Sequence, residues 1–238
     1  MRGKTKSEPV MRRGLLLAIL IGALVFVASA FAADQIVGCK QSHFNNDDQI
    51  VFPGQPGASH RHQYAGARSN DAFSTVQSMR ASGTTCDDTG DTAGYWAPTF
   101  NAGYPIHPSK GALFYYTFNG TQFPEGLKMI VRWSTPGNRV LFKCGPGSAT
   151  ETRTVPASCG SGMLVPVVDF PQWWNGQLDS PDHLSHMSYS RTATHTRRLP
   201  HLKVYWRIAV PAGAPIDSNL SSGDYSSFHL DFVSTGAI

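Results

Sequence analysis

The feature that most constrains the fold is a series of short apolar runs, each ended by turn-forming residues. Between residues 112 and 232 these runs are rich in Val, Ile, Leu, Phe, Tyr and Trp. Gly, Pro, Asn and Ser separate them, as at Asn119-Gly120, and residues of this kind mark turns between strands. The runs are residues 112–118, 127–133, 139–143, 164–170, 201–210 and 227–232. The pattern therefore predicts a mainly β domain.

Helical patterns are few. Only residues 70–81 and the stretch after Pro181 read as helical, and Ser180 before that proline suits an N-cap. With 23 Gly and 16 Pro in the chain, we expect long irregular loops. The predicted fold is a β-sandwich or jelly roll, built as a single domain with long loops and one or two short helices. Trp133 and Trp206 lie on predicted strands and are expected in the core.

The N-terminal segment does not read as part of this fold. Basic residues up to Arg13 precede an apolar run over residues 14–27, and small residues around Ala30 fit a cleavage site. The run is shorter than the roughly 20 residues of a membrane span. Residues 1–32 are therefore predicted to be a secretory signal peptide, with either Met1 or Met11 as its start. Residues 33–238 would form an exported domain that is soluble after cleavage.

Removal of this segment changes the charge balance. The whole chain carries a formal charge of +4 at pH 7, and residues 1–32 carry the same charge because five basic residues there outnumber a single Glu. The rest of the chain is formally neutral. Since binding to nucleic acid depends on a basic excess, we expect no nucleic acid partner.

All four cysteines, Cys39, Cys86, Cys144 and Cys159, lie in the predicted mature chain. An even number suits an oxidising compartment, and no C-x-x-C spacing points to a metal site instead. Four cysteines allow three pairings. Cys144 and Cys159 flank a stretch rich in Gly, Pro, Ser and Thr, so a disulfide that closes this loop is favoured. Cys39 would then pair with Cys86.

The strongest functional pattern is a cluster of carboxylates and imidazoles at Asp179, Asp182, His183 and His186. On a helix that starts after Ser180, the last three would share one face, with Asp179 just outside the N-terminus. Such a group can bind a divalent metal ion or supply an acid/base pair to a polar substrate. The alternative is that Asp182 caps a turn and that both imidazoles are satisfied locally.

Two other segments carry paired polar residues. His60 and His62 are two residues apart, as are His229 and Asp231, and residues at this spacing on a strand face the same side. We expect these four residues to converge with residues 179–186 on one concave site, as acid/base groups or around a metal ion. The alternative is that each segment serves a local turn on its own face of the domain.

Aromatic residues near these segments indicate a sugar-binding cleft. Tyr95 and Trp96 follow an acidic run at residues 87–91, and Trp173 and Trp174 lead into the Asp/His cluster. Exposed rings can stack on sugars while neighbouring carboxylates bind hydroxyl groups. We expect Tyr95 and Trp96 to rim the site, with burial in the core as the alternative.

Four separated segments, in this order, resemble one known family. They are SHRHQYAG at residues 59–66, YWAPT at 95–99, DSPDHLSH at 179–186 and SFHLDF at 227–232. They are similar to the family called domain of unknown function nineteen ninety-six, found in secreted bacterial and fungal proteins, some with attached carbohydrate- or wall-binding modules. The resemblance covers nearly all of the predicted mature chain. It implies an exported protein and brings no established reaction with it.

Two classes of function are expected. The first is an exported hydrolase or lyase of a polysaccharide or cell-wall polymer that uses the Asp/His residues for acid/base chemistry, with or without a divalent metal. The second is a non-catalytic glycan- or wall-binding module. The number of His/Asp pairs favours the enzyme, because a binding surface needs fewer titratable groups. A serine hydrolase is disfavoured because G-x-S-x-G is absent, and a copper monooxygenase because neither predicted mature N-terminus is His.

Overall fold

Strands form where the sequence is rich in β-branched and aromatic residues, and turns of Gly, Pro, Asn and Ser end them. The computed structural model describes residues 3, 34–135, 137, 139–147 and 150–236. The predicted signal peptide therefore lies outside the described residues, apart from Gly3. From residue 34 onward the chain forms one compact unit. No helix in this described part is long and apolar enough to cross a membrane.

The described chain is organised by fourteen strands and one α-helix. They are β1 (Gln35–Cys39), β2 (Gln41–Asn45), β3 (His62–Gly66), α1 (Val76–Ser82), β4 (Gly94–Pro98), β5 (Ala112–Thr117), β6 (Lys128–Arg132), β7 (Arg139–Cys144), β8 (Met163–Asp169), β9 (Trp173–Trp174), β10 (Met187–Ser188), β11 (Arg197–Arg198), β12 (His201–Tyr205), β13 (Ile208–Ala209) and β14 (His229–Val233). The mainly β prediction is confirmed.

Two antiparallel sheets pack face to face as a β-sandwich. The first runs in the order β1, β5, β12, β8 and β13, with β7 also paired to β8, and the second in the order β2, β3, β4, β14 and β6. Alternate residues of β5 are buried, because successive side chains on a strand face opposite sides. Tyr95 of the second sheet meets Phe114 of the first with ring centroids 4.0 Å apart. Strands β10, β9 and β11 form a small third sheet.

The outer face of the second sheet carries most of the polar residues of interest. Antiparallel pairing aligns Tyr64, Trp96 and Asp231 side by side on β3, β4 and β14. His62 and His229 lie two residues from Tyr64 and Asp231 on the same strands, so they share that face. Pairing between distant segments therefore brings the imidazoles together.

Helix α1 and the segment before β3 cover part of this outer face. Thr75 caps the helix, since its side chain accepts the backbone N–H of Ser78 and the Ser78 side chain returns a bond to the cap. Met79 from the helix packs with Ile50 against Trp96. The outer face is thus largely closed over β4, while its end near β14 and β6 borders two clefts.

Both predicted disulfides are present. Cys39 pairs with Cys86, and Cys144 with Cys159. Trp206 is fully buried as predicted, whereas Trp133 is only half-buried.

Three local predictions are wrong. The helix expected over 70–81 is limited to Val76–Ser82. The stretch after Pro181 forms turns instead of a helix, because the Asp182 carboxylate accepts hydrogen bonds from residues on both sides and closes the chain locally. The run 201–210 is also interrupted after Tyr205, so it forms two strands.

Candidate functional site

Three imidazoles converge on the outer face of the second sheet, and we refer to His60, His62 and His229 as the His cluster. One ring nitrogen from each of the three lies within 4.8 Å of the others, and His62 Nε2 lies 3.2 Å from His229 Nε2. His62 is fully buried, while the other two are half-buried. The cluster therefore sits at the boundary between core and solvent.

Backbone carbonyls fix the orientation of two of these rings. His62 Nδ1 lies 3.0 Å from the carbonyl oxygen of Asp47, and His229 Nδ1 lies 3.0 Å from that of Ser227. A carbonyl oxygen only accepts hydrogen bonds, so each Nδ1 carries the proton and donates it. The opposite atom, Nε2, then keeps a free electron pair.

Burial keeps the imidazoles neutral. It lowers the pKa of His62 well below the usual range, and the neighbouring rings of His229 and His60 lower it further. Burial also lowers the pKa of His60 and brings the pKa of His229 to about 3. Neutral imidazoles with a free electron pair on one nitrogen are the form that binds metal ions.

Asp231 lies beside the His cluster, with Oδ2 3.4 Å from His229 Nε2. Its side chain is fully buried, and neither carboxylate oxygen has a hydrogen-bond partner among the described residues. Burial raises the pKa of Asp231 well above its usual range, nearby Asp48 raises it further, and Arg132 opposes the shift. A buried carboxylate without donors is costly, which marks this position as a site and not as ordinary core.

Two clefts adjoin along strand β6. One, of about 290 Å³, has His60 and His229 in its lining. The other, of about 380 Å³, is lined by His183. Ile130 and Arg132 line both clefts. His183 therefore lines the cleft next to that of the His cluster, and Arg132 borders both clefts.

His183 in the lining of the second cleft pairs with a carboxylate behind it. His183 Nδ1 lies 2.9 Å from Asp179 Oδ1, and Lys128 Nζ lies 3.5 Å from the other oxygen of that carboxylate. His183 has φ 56° and is the one non-glycine residue with positive φ in the described chain. Such a backbone conformation is uncommon for a side-chain-bearing residue and often accompanies function.

Asp182 and His186 serve the local structure instead. Asp182 Oδ1 accepts two backbone N–H groups and two hydroxyl groups, including that of Ser180. These bonds, led by that from the Ser185 N–H, hold the pKa of Asp182 well below its usual range. His186 is fully buried, with Nε2 2.6 Å from the carbonyl oxygen of Lys128 and Nδ1 2.9 Å from Ser180 Oγ. The structure does not bring either side chain to the His cluster.

The prediction that Tyr95 and Trp96 rim the site is wrong. Tyr95 and Trp96 are fully buried: Tyr95 points into the sandwich, where its hydroxyl group donates to Asp91, and Trp96 lies beneath α1. Trp174 is buried, with Nε1 donating to a backbone carbonyl, and Trp173 is half-buried. Burial of large apolar rings in the core is strongly favourable, so nearby carboxylates in the sequence do not indicate that such rings are exposed.

Sequence reasoning missed four contributors. Asp48 and Arg132 line the cleft beside the His cluster, and the carbonyl groups of Asp47 and Ser227 orient its rings. The run Asn45-Asn46-Asp47-Asp48 was a usable pattern, because four consecutive polar residues precede the first His pair. Backbone carbonyls leave no pattern in a sequence.

A second set of possible ligands does not form a site. Cys39, Cys86 and Asp91 have ligand atoms within 4.8 Å of one another. Both sulfurs are joined in a disulfide, so no thiolate is available to a metal ion.

The chain was compared with known proteins. No curated protein and no solved structure gives a significant match to it. One family model matches residues 48–235, and its description is Domain of unknown function (DUF1996). This range covers most of the chain and includes the His cluster, Asp231 and the Asp179–His183 pair. The chain therefore belongs to that family.

Proposed function

We propose that this protein is an exported lyase that cleaves an acidic polysaccharide, such as a cell-wall polymer containing uronic acids, in the cleft beside β6. The observation that carries the proposal is His183, which has left-handed backbone, pairs with Asp179 and lines a cleft together with Arg132.

His183 is the acid/base group. Its Nδ1 is engaged by Asp179, which leaves Nε2 to exchange a proton with a substrate. The carboxylate fixes the tautomer of the ring and stabilises the imidazolium that forms when His183 takes up a proton. The geometry of this pair therefore suits proton abstraction.

Elimination fits the cleft better than hydrolysis. Glycoside hydrolysis uses two carboxylates on either side of the bond, but Asp182 is the one carboxylate that lines this cleft in the described chain, and its Oδ1 accepts four hydrogen bonds of its own turn. In elimination, His183 would remove the C5 proton of a uronate. The C5–H electron pair would form the C4–C5 double bond, the C4–O bond would break, and the leaving oxygen would take up a proton from water, while His183 returns the C5 proton to solvent. Arg132 would neutralise the uronate carboxylate during this step.

Export is part of the proposal. Two disulfides suit an oxidising compartment, and the first 32 residues have the pattern of a signal peptide.

The test is a screen of acidic and neutral polysaccharides with wild type, His183→Asn and His107→Asn. Asn is chosen because it tolerates positive φ better than Ala does, so the backbone at position 183 is preserved. His107 lies on a loop outside both clefts and provides the matched control. We expect unsaturated products, detected by the ultraviolet absorbance of the new conjugated double bond. His183→Asn should reduce turnover by about 100-fold or more, and His107→Asn should leave it unchanged.

Saturated products would contradict elimination, and equal turnover in all three proteins would contradict the role of His183.

Binding without turnover would favour the alternative, a glycan-binding module. One observation supports that alternative: Tyr115 and Tyr205 stand together on the outer face of the first sheet, with ring centroids 5.1 Å apart and Lys143 and Lys203 over the Tyr205 ring. Tyr205→Ala should abolish binding if that face holds the glycan.

A further inference from the structure

We propose that His60, His62 and His229 bind a divalent transition metal ion of the zinc class, with one coordination position open to the cleft. This inference does not rest on the proposed reaction. It rests on the hydrogen-bond accounting of the three rings, on the distances between their nitrogens, and on the unpartnered carboxylate beside them.

The hydrogen bonds leave an unresolved contact between two nitrogens. Both Nδ1 atoms, of His62 and His229, face carbonyl oxygens and must donate. The two Nε2 atoms then present electron pairs to each other at 3.2 Å. If either Nε2 carried the proton, its own Nδ1 would face a carbonyl oxygen as an acceptor. No pair of neutral tautomers satisfies all these contacts. A shared proton or a metal ion between the two Nε2 atoms does, and the third imidazole nitrogen beside them favours the metal ion.

The distances match those of a metal site. Two nitrogens that bind one zinc ion tetrahedrally, each at about 2.0–2.1 Å, lie roughly 3.3 Å apart. The observed separation of the two Nε2 atoms is 3.2 Å. The third ring also lies in place: one nitrogen of His60 is within 4.8 Å of the other two ligand atoms, and its Nε2 is buried without a hydrogen-bond partner among the described residues.

Asp231 supplies the matching charge. Both of its oxygens are buried without hydrogen-bond donors in the described chain, and Oδ2 lies 3.4 Å from His229 Nε2. Asp231 does not belong to the group of three whose ligand atoms lie within 4.8 Å of one another, so we place it beside the ligand set and not within it. The positive charge of a bound ion would favour the ionised carboxylate, which could then accept a hydrogen bond from a metal-bound water and offset that charge.

The ligand types and the open side define the kind of site. Imidazole nitrogens suit zinc, copper, nickel and iron, whereas magnesium and calcium prefer oxygen ligands. Three protein ligands with a fourth position facing a cleft are typical of catalytic zinc sites, since structural sites are closed by four protein ligands. The cleft of about 290 Å³ over His60 and His229 leaves room for a water or a substrate oxygen.

The experiment measures metal binding, not turnover. Protein stripped with a chelator is titrated with Zn²⁺ by calorimetry, and bound metal is counted by elemental analysis after desalting. Co²⁺ is used in a parallel titration, because its visible spectrum reports the number of nitrogen ligands and the geometry. The proteins compared are wild type, His60→Ala, His229→Ala and, as a matched control, His107→Ala.

We expect one ion per chain in wild type and in His107→Ala, with a Kd in the micromolar range or tighter. Outer-shell substitutions at metal sites already reduce affinity by about 10–100-fold, so loss of a direct ligand in His60→Ala should cost at least about 100-fold. Because His60 is half-buried, we expect His60→Ala to fold normally, and circular dichroism checks this. The Co²⁺ spectrum of wild type should indicate a four- or five-coordinate site with nitrogen ligands.

The proposal is overturned if wild type binds no metal, or if His60→Ala and His107→Ala bind it equally. A failure of this kind is distinguishable from failure of the proposed lyase, which is measured on polysaccharides with His183→Asn. Metal bound without turnover would sustain this inference alone, and turnover without metal would sustain the lyase alone.

Discussion

Asp91 has one of the most unusual environments of any carboxylate in the described chain. It is fully buried between the sheets and accepts hydrogen bonds from the hydroxyl groups of Tyr95 and Tyr116 and from the N–H of Ala93. Burial raises the pKa of Asp91 to about 7, although these hydrogen bonds oppose the shift. The sandwich therefore contains a titratable group in its core, and its protonation is coupled to folding.

This coupling predicts a specific pH dependence. Because the folded pKa lies above the value near 3.8 of the unfolded chain, the folded state binds more protons between about pH 4 and pH 7. The contribution of Asp91 to stability is therefore present at low pH and lost as the pH rises to 7, by up to about 1.4 kcal/mol per pH unit. Asp91→Asn should remove this slope, measured as the free energy of unfolding in urea across that range. Asp217→Asn, at an exposed carboxylate, is the control, and an unchanged slope in Asp91→Asn would refute the coupling.

At the scale of the elements, the connection between β7 and β8 depends on a disulfide. Cys144 is the last residue of β7, and Cys159 precedes β8 by four residues, so the bond closes the base of a loop with a sequence separation of 15. Cross-linking a loop of this size reduces the entropy of the unfolded chain by an amount worth about 3 kcal/mol.

The double variant Cys144→Ser/Cys159→Ser should therefore unfold with a free energy about 2–4 kcal/mol lower than that of wild type. Urea denaturation followed by far-UV circular dichroism measures this difference. Wild type treated with reductant provides a comparison, but it also loses Cys39–Cys86. A double variant as stable as wild type would show that the pairing of β7 with β8 holds the loop without the bond.

At the scale of the whole molecule, aromatic packing between the two sheets holds the sandwich together. Phe114 of the first sheet is fully buried, lies 4.0 Å by ring centroid from Tyr95 of the second sheet, and makes an edge contact with Trp206. Removing its ring would leave a cavity that neighbours on both sheets must line.

We expect Phe114→Ala to lower the free energy of unfolding by about 3–5 kcal/mol, the usual cost of deleting a buried Phe ring. Phe73 is 64% exposed, so Phe73→Ala should change the free energy of unfolding by less than about 0.5 kcal/mol. Fluorescence and circular dichroism should report one coincident transition in each case, since both sheets share this core. An equal loss of unfolding free energy in Phe114→Ala and Phe73→Ala would mean that the two sheets do not share a core at Phe114.

The sequence by itself determined the features that depend on neighbouring residues. The β character follows from runs such as 112–118 and their flanking turns, and the pairing of Cys144 with Cys159 from the loop between them, because local backbone preference and short loop closure act within a few residues. The four separated segments were likewise sufficient to identify the family.

Tertiary structure alone decided which polar residues meet. His62 and His229 are separated by 167 residues, and only the register of β3, β4 and β14 brings their rings into contact. The same packing buried Trp96 beneath α1 and enclosed Asp231 without hydrogen-bond donors. A sequence shows residue types and spacing, but burial and hydrogen-bond partners arise from contacts between distant segments. These contacts separate an imidazole that completes a turn, as at His186, from one that is free to bind a ligand.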